Sequence, residues 1–118
     1  MATQAEIAEA LADYQRRCND NARLRKMLKG WTRSCEFRSL DSDTVFSVQI
    51  DAGEITAVTE GPHPAPEVTI SAISEDLADM FWGDLNPAAK YLSGDIKVSG
   101  SQQDVLRVDA MAALIWID

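Results

Sequence analysis

The sequence predicts an α+β fold, a mixed sheet with its helices packed on one face. Three observations predict it. The apolar period is helical over residues 4–29, two over residues 31–72, and helical again beyond residue 74, apart from a short return to two at residues 95–99. The strands cluster in the middle of the chain and the helices lie on either side, a segregation that separates α+β from alternating α/β folds. Glycines punctuate the changes of period, at Gly30, Gly53, Gly83 and Gly94.

Each element has its own local reason. Thr3 and Glu6 form a capping box that opens the first helix. Ile7, Leu11, Tyr14 and Cys18 recur on one face of it. The Asn19-Asp20-Asn21 run interrupts the pattern and caps a second short helix. There Leu24, Met27, Leu28 and then Trp31 continue an inward face, and Gly30 stops the helix. In the first strand Trp31, Cys35 and Phe37 share one side; Thr32, Ser34, Glu36 and Arg38 share the other. After a turn at Asp41-Ser42-Asp43, residues 44–51 form a second strand with Phe46, Val48 and Ile50 inward. Asp51-Ala52-Gly53-Glu54 is a tight turn with glycine where a positive φ is needed, and residues 55–60 return as a third strand. The loop 61–66 holds three prolines, which fix φ and remove donors, so it crosses rather than pairs. Its His63, the sole histidine, reads as part of an exposed turn. Residues 67–72 are a fourth strand with Val68 and Ile70 inward.

In the second half, Ser74-Glu75-Asp76 caps a helix and places acids in its first turn, and Gly83 ends it. Asn86-Pro87 starts a short helix that Gly94 stops. Residues 95–99 are a strand with Ile96 and Val98 inward. Ser101 and Asp104 form a second capping box before the last helix. The end of that helix is unusual, because residues 110–117 are all apolar. A helix apolar all round is buried all round. It either plugs the core, closes over an apolar cavity, packs against a second subunit or touches lipid.

The chain has 118 residues, a length suited to one domain over 1–118, and its apolar fraction of 46% and charged fraction of 25% are those of ordinary globular proteins. The formal net charge of −8 argues against nucleic-acid binding and against attraction to anionic membranes. Arg16-Arg17 with Arg23, Arg25, Lys26 and Lys29 is the one basic cluster and reads as a solvated helix face. No apolar run approaches bilayer length, and neither end carries a recognisable signal or lipidation motif, so stable membrane insertion is not expected and the cytoplasm is the expected location. Cys18 and Cys35 read as buried, reduced thiols. No nucleophile elbow, phosphate-binding glycine loop or metal-ligand spacing is present, so no enzyme activity, metal or cofactor is expected.

Four separated pieces then occur in order: residues 45–53 ending in Gly53, residues 66–70 (Pro-Glu-Val-Thr-Ile), residues 83–89 (Gly-Asp-Leu-Asn-Pro-Ala-Ala) and residues 92–100 (Leu-Ser-Gly-Asp-Ile-Lys-Val-Ser-Gly). Together they resemble the sterol-carrier-protein (type 2) family, over roughly residues 20–115, and the two leading helices are similar to those of its compact, stand-alone prokaryotic members. Asp95 stands where the family often has lysine, and Ser101 where it often has an acid. The resemblance implies a five-stranded mixed sheet and an apolar cavity between sheet and helices. It implies non-enzymatic binding and transfer of an acyl chain, acyl-CoA, sterol or isoprenoid. A homodimer or an enzyme of lipid metabolism would be the protein partner. The alternative is an interaction or accessory subunit that uses the apolar last helix and carries no lipid. A buried methylene contributes about 0.8 kcal/mol, so some fifteen of them offer roughly 12 kcal/mol before ordering costs. The expected cavity wall comprises Phe46, Val48 and Ile50 from the sheet, Met80, Phe81, Leu85, Tyr91 and Leu92 from the middle helices, and Met111, Leu114 and Ile115 from the last. For each of these, plain core packing is the competing reading.

Overall fold

The computed structural model describes residues 1–117. Helix α1 (Gln4–Asp20) opens on the Thr3/Glu6 capping box, both halves of which form, and buries Ile7, Ala10, Leu11, Tyr14 and Cys18. Asn21 ends it and caps α2 (Ala22–Met27), its side chain accepting from the Leu24 amide at 2.9 Å. Leu24, Leu28 and Trp31 point inward, but Met27 is 56% exposed. The six-residue helix has no room for a full apolar stripe, and Leu24 is the one residue it buries.

Strands β1 (Arg33–Ser39), β2 (Val45–Asp51), β3 (Glu54–Glu60), β4 (Val68–Ala72) and β5 (Lys97–Ser99) form one sheet in the order β3-β2-β1-β4-β5. β1 and β4 run parallel, and the other neighbours are antiparallel. The register places Cys35 beside Val48 and Val68, and Phe37 beside Phe46 and Ile70. These residues form the helix-facing side of the sheet, and all six are buried. The opposite side is not simply wet. The 61–66 loop folds back over it, and Ser34 and Glu36 are buried there. The Glu36 carboxylate accepts from Arg38 Nε and Nη2 at 3.1 and 2.8 Å and from the His63 amide at 3.1 Å. His63 is half-buried, and its Nδ1 accepts from the Ala65 amide at 2.9 Å, so the imidazole stiffens the loop.

Helices α3 (Ser74–Trp82), α4 (Pro87–Ser93) and α5 (Gln102–Ile117) complete the layer above the sheet. Ser74 is the first helical residue of α3, not its cap; the cap position is Ile73, which offers no side-chain acceptor. Asp41 takes that role from the β1–β2 turn, accepting from the Ser74 amide at 2.8 Å and from its hydroxyl at 3.1 Å. Hydrogen bonds from Ser39 and then Ser74 hold the Asp41 carboxyl below its ordinary value. A carboxylate supplied from another element thus serves the orphan donors of this helix end. Asn86 caps α4, with Pro87 at its first position and Gly94 as its left-handed stop, as the sequence predicts. Tyr14, Phe81 and Phe37 stack in the centre, with ring centroids 5.1 Å (Tyr14–Phe81) and 5.0 Å (Phe37–Phe81) apart. These aromatic pairs lie in one contiguous core with the inner faces of α1, α3, α5 and the sheet.

Gly53 locks the β2–β3 hairpin to α2. Its φ is +83°, its amide donates to the Trp31 carbonyl at 2.9 Å, and a Cβ there would lie 2.7 Å from the Leu28 carbonyl oxygen. Gly53→Ala is expected to destabilise the fold by about 1–3 kcal/mol, combining left-handed strain with a backbone clash. Urea unfolding checks it, as a lowered midpoint at unchanged slope.

Candidate functional site

The site is built around α5, which polar contacts hold near both ends. Near the first turn, Ser101 caps the helix by accepting from the Asp104 amide at 3.1 Å. The second half of the expected capping box does not form. The Asp104 carboxylate is turned inward instead, accepting from Trp31 Nε1 at 2.8 Å and from Arg33 Nε at 3.0 Å. At the far end, Arg17 of α1 donates to the carbonyl of Ile115 at 3.2 Å and to that of Trp82, the last residue of α3, at 2.7 Å. A guanidinium suits these positions, because the last carbonyls of a helix carry partial negative charge and have no partner within the helix. Gly83 lets the two helix ends meet: a Cβ at this position would lie 3.0 Å from the Ile115 oxygen.

Between these contacts α5 passes over β4 and β5, leaving an apolar cavity of ≈ 20 Å³. Its wall consists of Ile70, Met80, Pro87, Tyr91, Ile96, Val98, Val105, Val108, Asp109 and Ala112. That volume is room for about one water molecule. The surface that lines it is almost entirely apolar. Its outer side is α4, a helix of seven residues tied down by Lys90, whose Nζ lies 3.4 Å from Asp76 and 3.9 Å from Asp95.

Comparison with known proteins fits this architecture. The profile of the SCP-2 sterol transfer family matches residues 11–113. The chain belongs to that family. No curated protein matches it by sequence. Among solved structures it is similar to a UbiJ-SCP2 ubiquinone synthesis protein, with a TM-score of 0.67 and 17% identity over 92% of this chain and 94% of the other. A crystal structure of sterol carrier protein 2 gives a TM-score of 0.69 at 12% identity, over 92% and 94% of the two chains. A palmitated SCP2L2 from Aedes aegypti gives 0.63 at 14% identity, over 95% of each. At such identities the likeness is one of fold. Family membership carries binding and transfer of lipids or sterols in general.

Of the wall residues expected from the sequence, Met80 and Tyr91 line the cavity of this SCP-2 family member. Phe46, Val48, Ile50, Phe81, Met111, Leu114 and Ile115 are buried in the main core beyond it. Leu85 is half-buried against that core. Leu92 is 86% exposed and points away from the wall. The sequence reading did not place Ile70, Pro87, Ile96 and Val98 in the wall, and on α5 it missed Val105, Val108, Asp109 and Ala112. Their spacing of three and four marks one face of α5, a signal hidden by the uniformly apolar run that begins at residue 110. That run is not buried all round: Met111, Ala112, Leu114 and Ile115 are covered, whereas Trp116 and Ile117 are exposed. Arg17, expected on a solvated face, is half-buried.

Burial pushes both thiols, Cys18 and Cys35, up to about 12, so neither is a nucleophile at neutral pH. Among the described residues no cluster of His, Cys, Asp or Glu is arranged to hold a metal ion. Among the described residues no helix is long and apolar enough to cross a membrane.

Asp104 is the titratable anchor of the site. Burial pushes its carboxyl up, but the hydrogen bonds from Trp31 and Arg33, with the Arg33 charge, outweigh that and hold it below the ordinary carboxylate value. A lowered folded-state value means that its stabilisation is complete above the unfolded value, near 4, and is lost as pH falls through the folded one. Asp104→Asn is therefore expected to destabilise the protein by about 2 kcal/mol at neutral pH. The gap between variant and wild type should close at acid pH, as measured by urea unfolding over a pH series.

Proposed function

We propose that the protein binds one apolar ligand, an acyl chain, acyl-CoA, sterol or isoprenoid, in the cavity beneath α4 and α5. It holds this ligand without performing chemistry on it. It acts in the cytoplasm as a single domain over residues 1–118 and presents the ligand to a membrane or to an enzyme of lipid metabolism. The observation that carries the reading is the wall itself, which is almost entirely apolar. A pocket of mainly apolar lining with few polar groups is the ordinary form of a lipid site. Met80 in the wall suits a cavity that adapts its shape, since methionine is unbranched and flexible.

The volume of ≈ 20 Å³ is far smaller than any such ligand. Uptake therefore requires a wall to move, and α4 is the element suited to do so. It is short, and Ala88, Ala89, Tyr91 and Leu92 face solvent. Gly94 after its last turn, where a Cβ would meet nothing within 4 Å, gives the chain freedom to swing at that end. Of the two Lys90 ion pairs, the exposed one to Asp95 holds such an element by no more than about 1 kcal/mol.

Native mass spectrometry of protein purified without detergent tests the proposal. A discrete added mass, or one acquired on titration with acyl chains, acyl-CoA or sterols, is the expected result. An apo mass unchanged by all of them would overturn it. Ala112→Leu, which fills the cavity from α5, is expected to leave stability within about 1 kcal/mol and to weaken uptake at least about tenfold.

Exposed Trp116 and Ile117 at the end of α5 favour a second reading, in which this end docks a second copy or a partner enzyme. Trp116→Asp separates the two. Loss of an oligomer with uptake intact supports docking at this end, and loss of uptake in a monomer assigns Trp116 to ligand handling.

A further inference from the structure

We propose that the groove between α2 and the outward face of α5 docks an amphipathic helix of a partner protein, acidic along the edge that lies beside α2. The proposal holds whether or not the cavity carries lipid, and it gives docking along α5 a partner of defined chemistry.

The sequence makes α5 apolar on two faces. Val108, Met111 and Ile115 lie on the buried one. Leu106, Ala110, Ala113 and Ile117 recur at spacings of four, three and four on the opposite one. Leu106 and Ile117 are 61% and 63% exposed, and the two alanines between them are half-buried. That spacing is the seam along which two helices pair, and small residues at its centre let a second backbone come close. A groove of ≈ 310 Å³ adjoins the first half of this seam, lined by Met27 of α2 and by Gln103, Leu106, Arg107 and Ala110 of α5. Exposed Met27 and Leu106 give it one large apolar side chain from each helix. A groove between two helices accommodates a third, laid along it with its apolar stripe inward.

The charges around the groove select the kind of helix. Arg23 lies one turn before Met27 on the exposed face of α2, Lys26 adjoins it, and Lys29 follows in the turn; all three are exposed. Arg107 lines the groove and lies over the Trp31 ring, 5.9 Å from its centroid. None of these four cations has an ion pair among the described residues. The other lysines and arginines, Lys97 apart, each lie against a carboxylate. In a chain of net charge −8 carboxylates are abundant, yet none neutralises this edge. An acidic edge on the incoming helix meets the four cations while its apolar stripe covers Met27 and Leu106.

Other occupants fit less well. A second copy laid antiparallel on the seam about a two-fold axis brings its own Arg107 and α2 cations to the same edge, with no acid to meet them. An anionic bilayer supplies the charge but presents a plane to a groove, and the net charge of the chain repels it at range.

The probes are two synthetic peptides of about three heptads, with leucine at the two core positions and either glutamate or lysine at every flanking position. Each is titrated at neutral pH and low salt into isotope-labelled protein and followed by amide chemical shifts. The glutamate peptide is expected to bind at least about tenfold more tightly than the lysine peptide, with shifts concentrated in residues 22–29 and along the outward face of α5. Arg23→Glu combined with Lys26→Glu is expected to weaken it at least about tenfold, and Lys97→Glu on β5 by less than about twofold. Leu106→Gln, at an exposed helical position, is expected to weaken it at least about fivefold. An otherwise unchanged amide spectrum shows that each variant is folded. Absence of binding by both peptides, equal binding of the two, or shifts centred elsewhere would overturn the proposal. A dimer seen by sedimentation and dissociated by Leu106→Gln would overturn it in favour of a second copy on the seam. Binding to phosphatidylglycerol vesicles that the Arg23→Glu, Lys26→Glu variant abolishes would overturn it in favour of a membrane surface.

Discussion

Polar contacts decide where the last helix lies, and most of the site follows from them. Asp104 ties the start of α5 to Trp31 and Arg33 at the beginning of β1, and Arg17 ties its end to the end of α3. Each contact satisfies groups that would be expensive to bury alone: an indole N–H, a carboxylate, and the unpaired carbonyls of two helix ends. With both ends held by directional bonds, the middle of the helix need not pack as tightly as an ordinary core element. The small cavity under Val108 and Ala112 lies in that interval. Loss of either anchor would let α5 settle onto the sheet or tilt off it, so the anchors determine cavity shape without lining the cavity.

The same economy governs the acidic surface. Many carboxylates of this chain complete structure. Asp41 serves the start of α3, Glu36 holds the proline loop, and Asp76 and Asp95 flank Lys90 beneath α4. Asp104 is the most deeply engaged, and its lowered proton affinity is the sign that its partners favour the charged form.

The order of helices and strands was legible because each element carries its own local signal. The Thr3/Glu6 box, the Asn86-Pro87 start, the glycine stops and the alternation of Phe46, Val48 and Ile50 act over a few residues and need no tertiary partner. The caps that failed were those in which a tertiary partner competed. Asp104 could have reached back to Ser101 but met an indole and a guanidinium, and Ser74 was displaced from the cap position by Asp41, 33 residues upstream. Met27 lies on the predicted face of α2, but the helix is too short to bury it.

By itself, the sequence determined the α+β class, the inward faces of the sheet and the family, because period, turn chemistry and motif order are properties of the chain read along its length. It did not determine which apolar residues are wall and which are core. Phe46 and Val48 are as apolar as Ile70 and Val108, and no local pattern separates a side chain that meets a neighbour from one that meets a gap. That distinction depends on the spacing between α5 and the sheet. Contacts joining residues 17 to 115 and 31 to 104 set that spacing, and they exist only once the chain has folded.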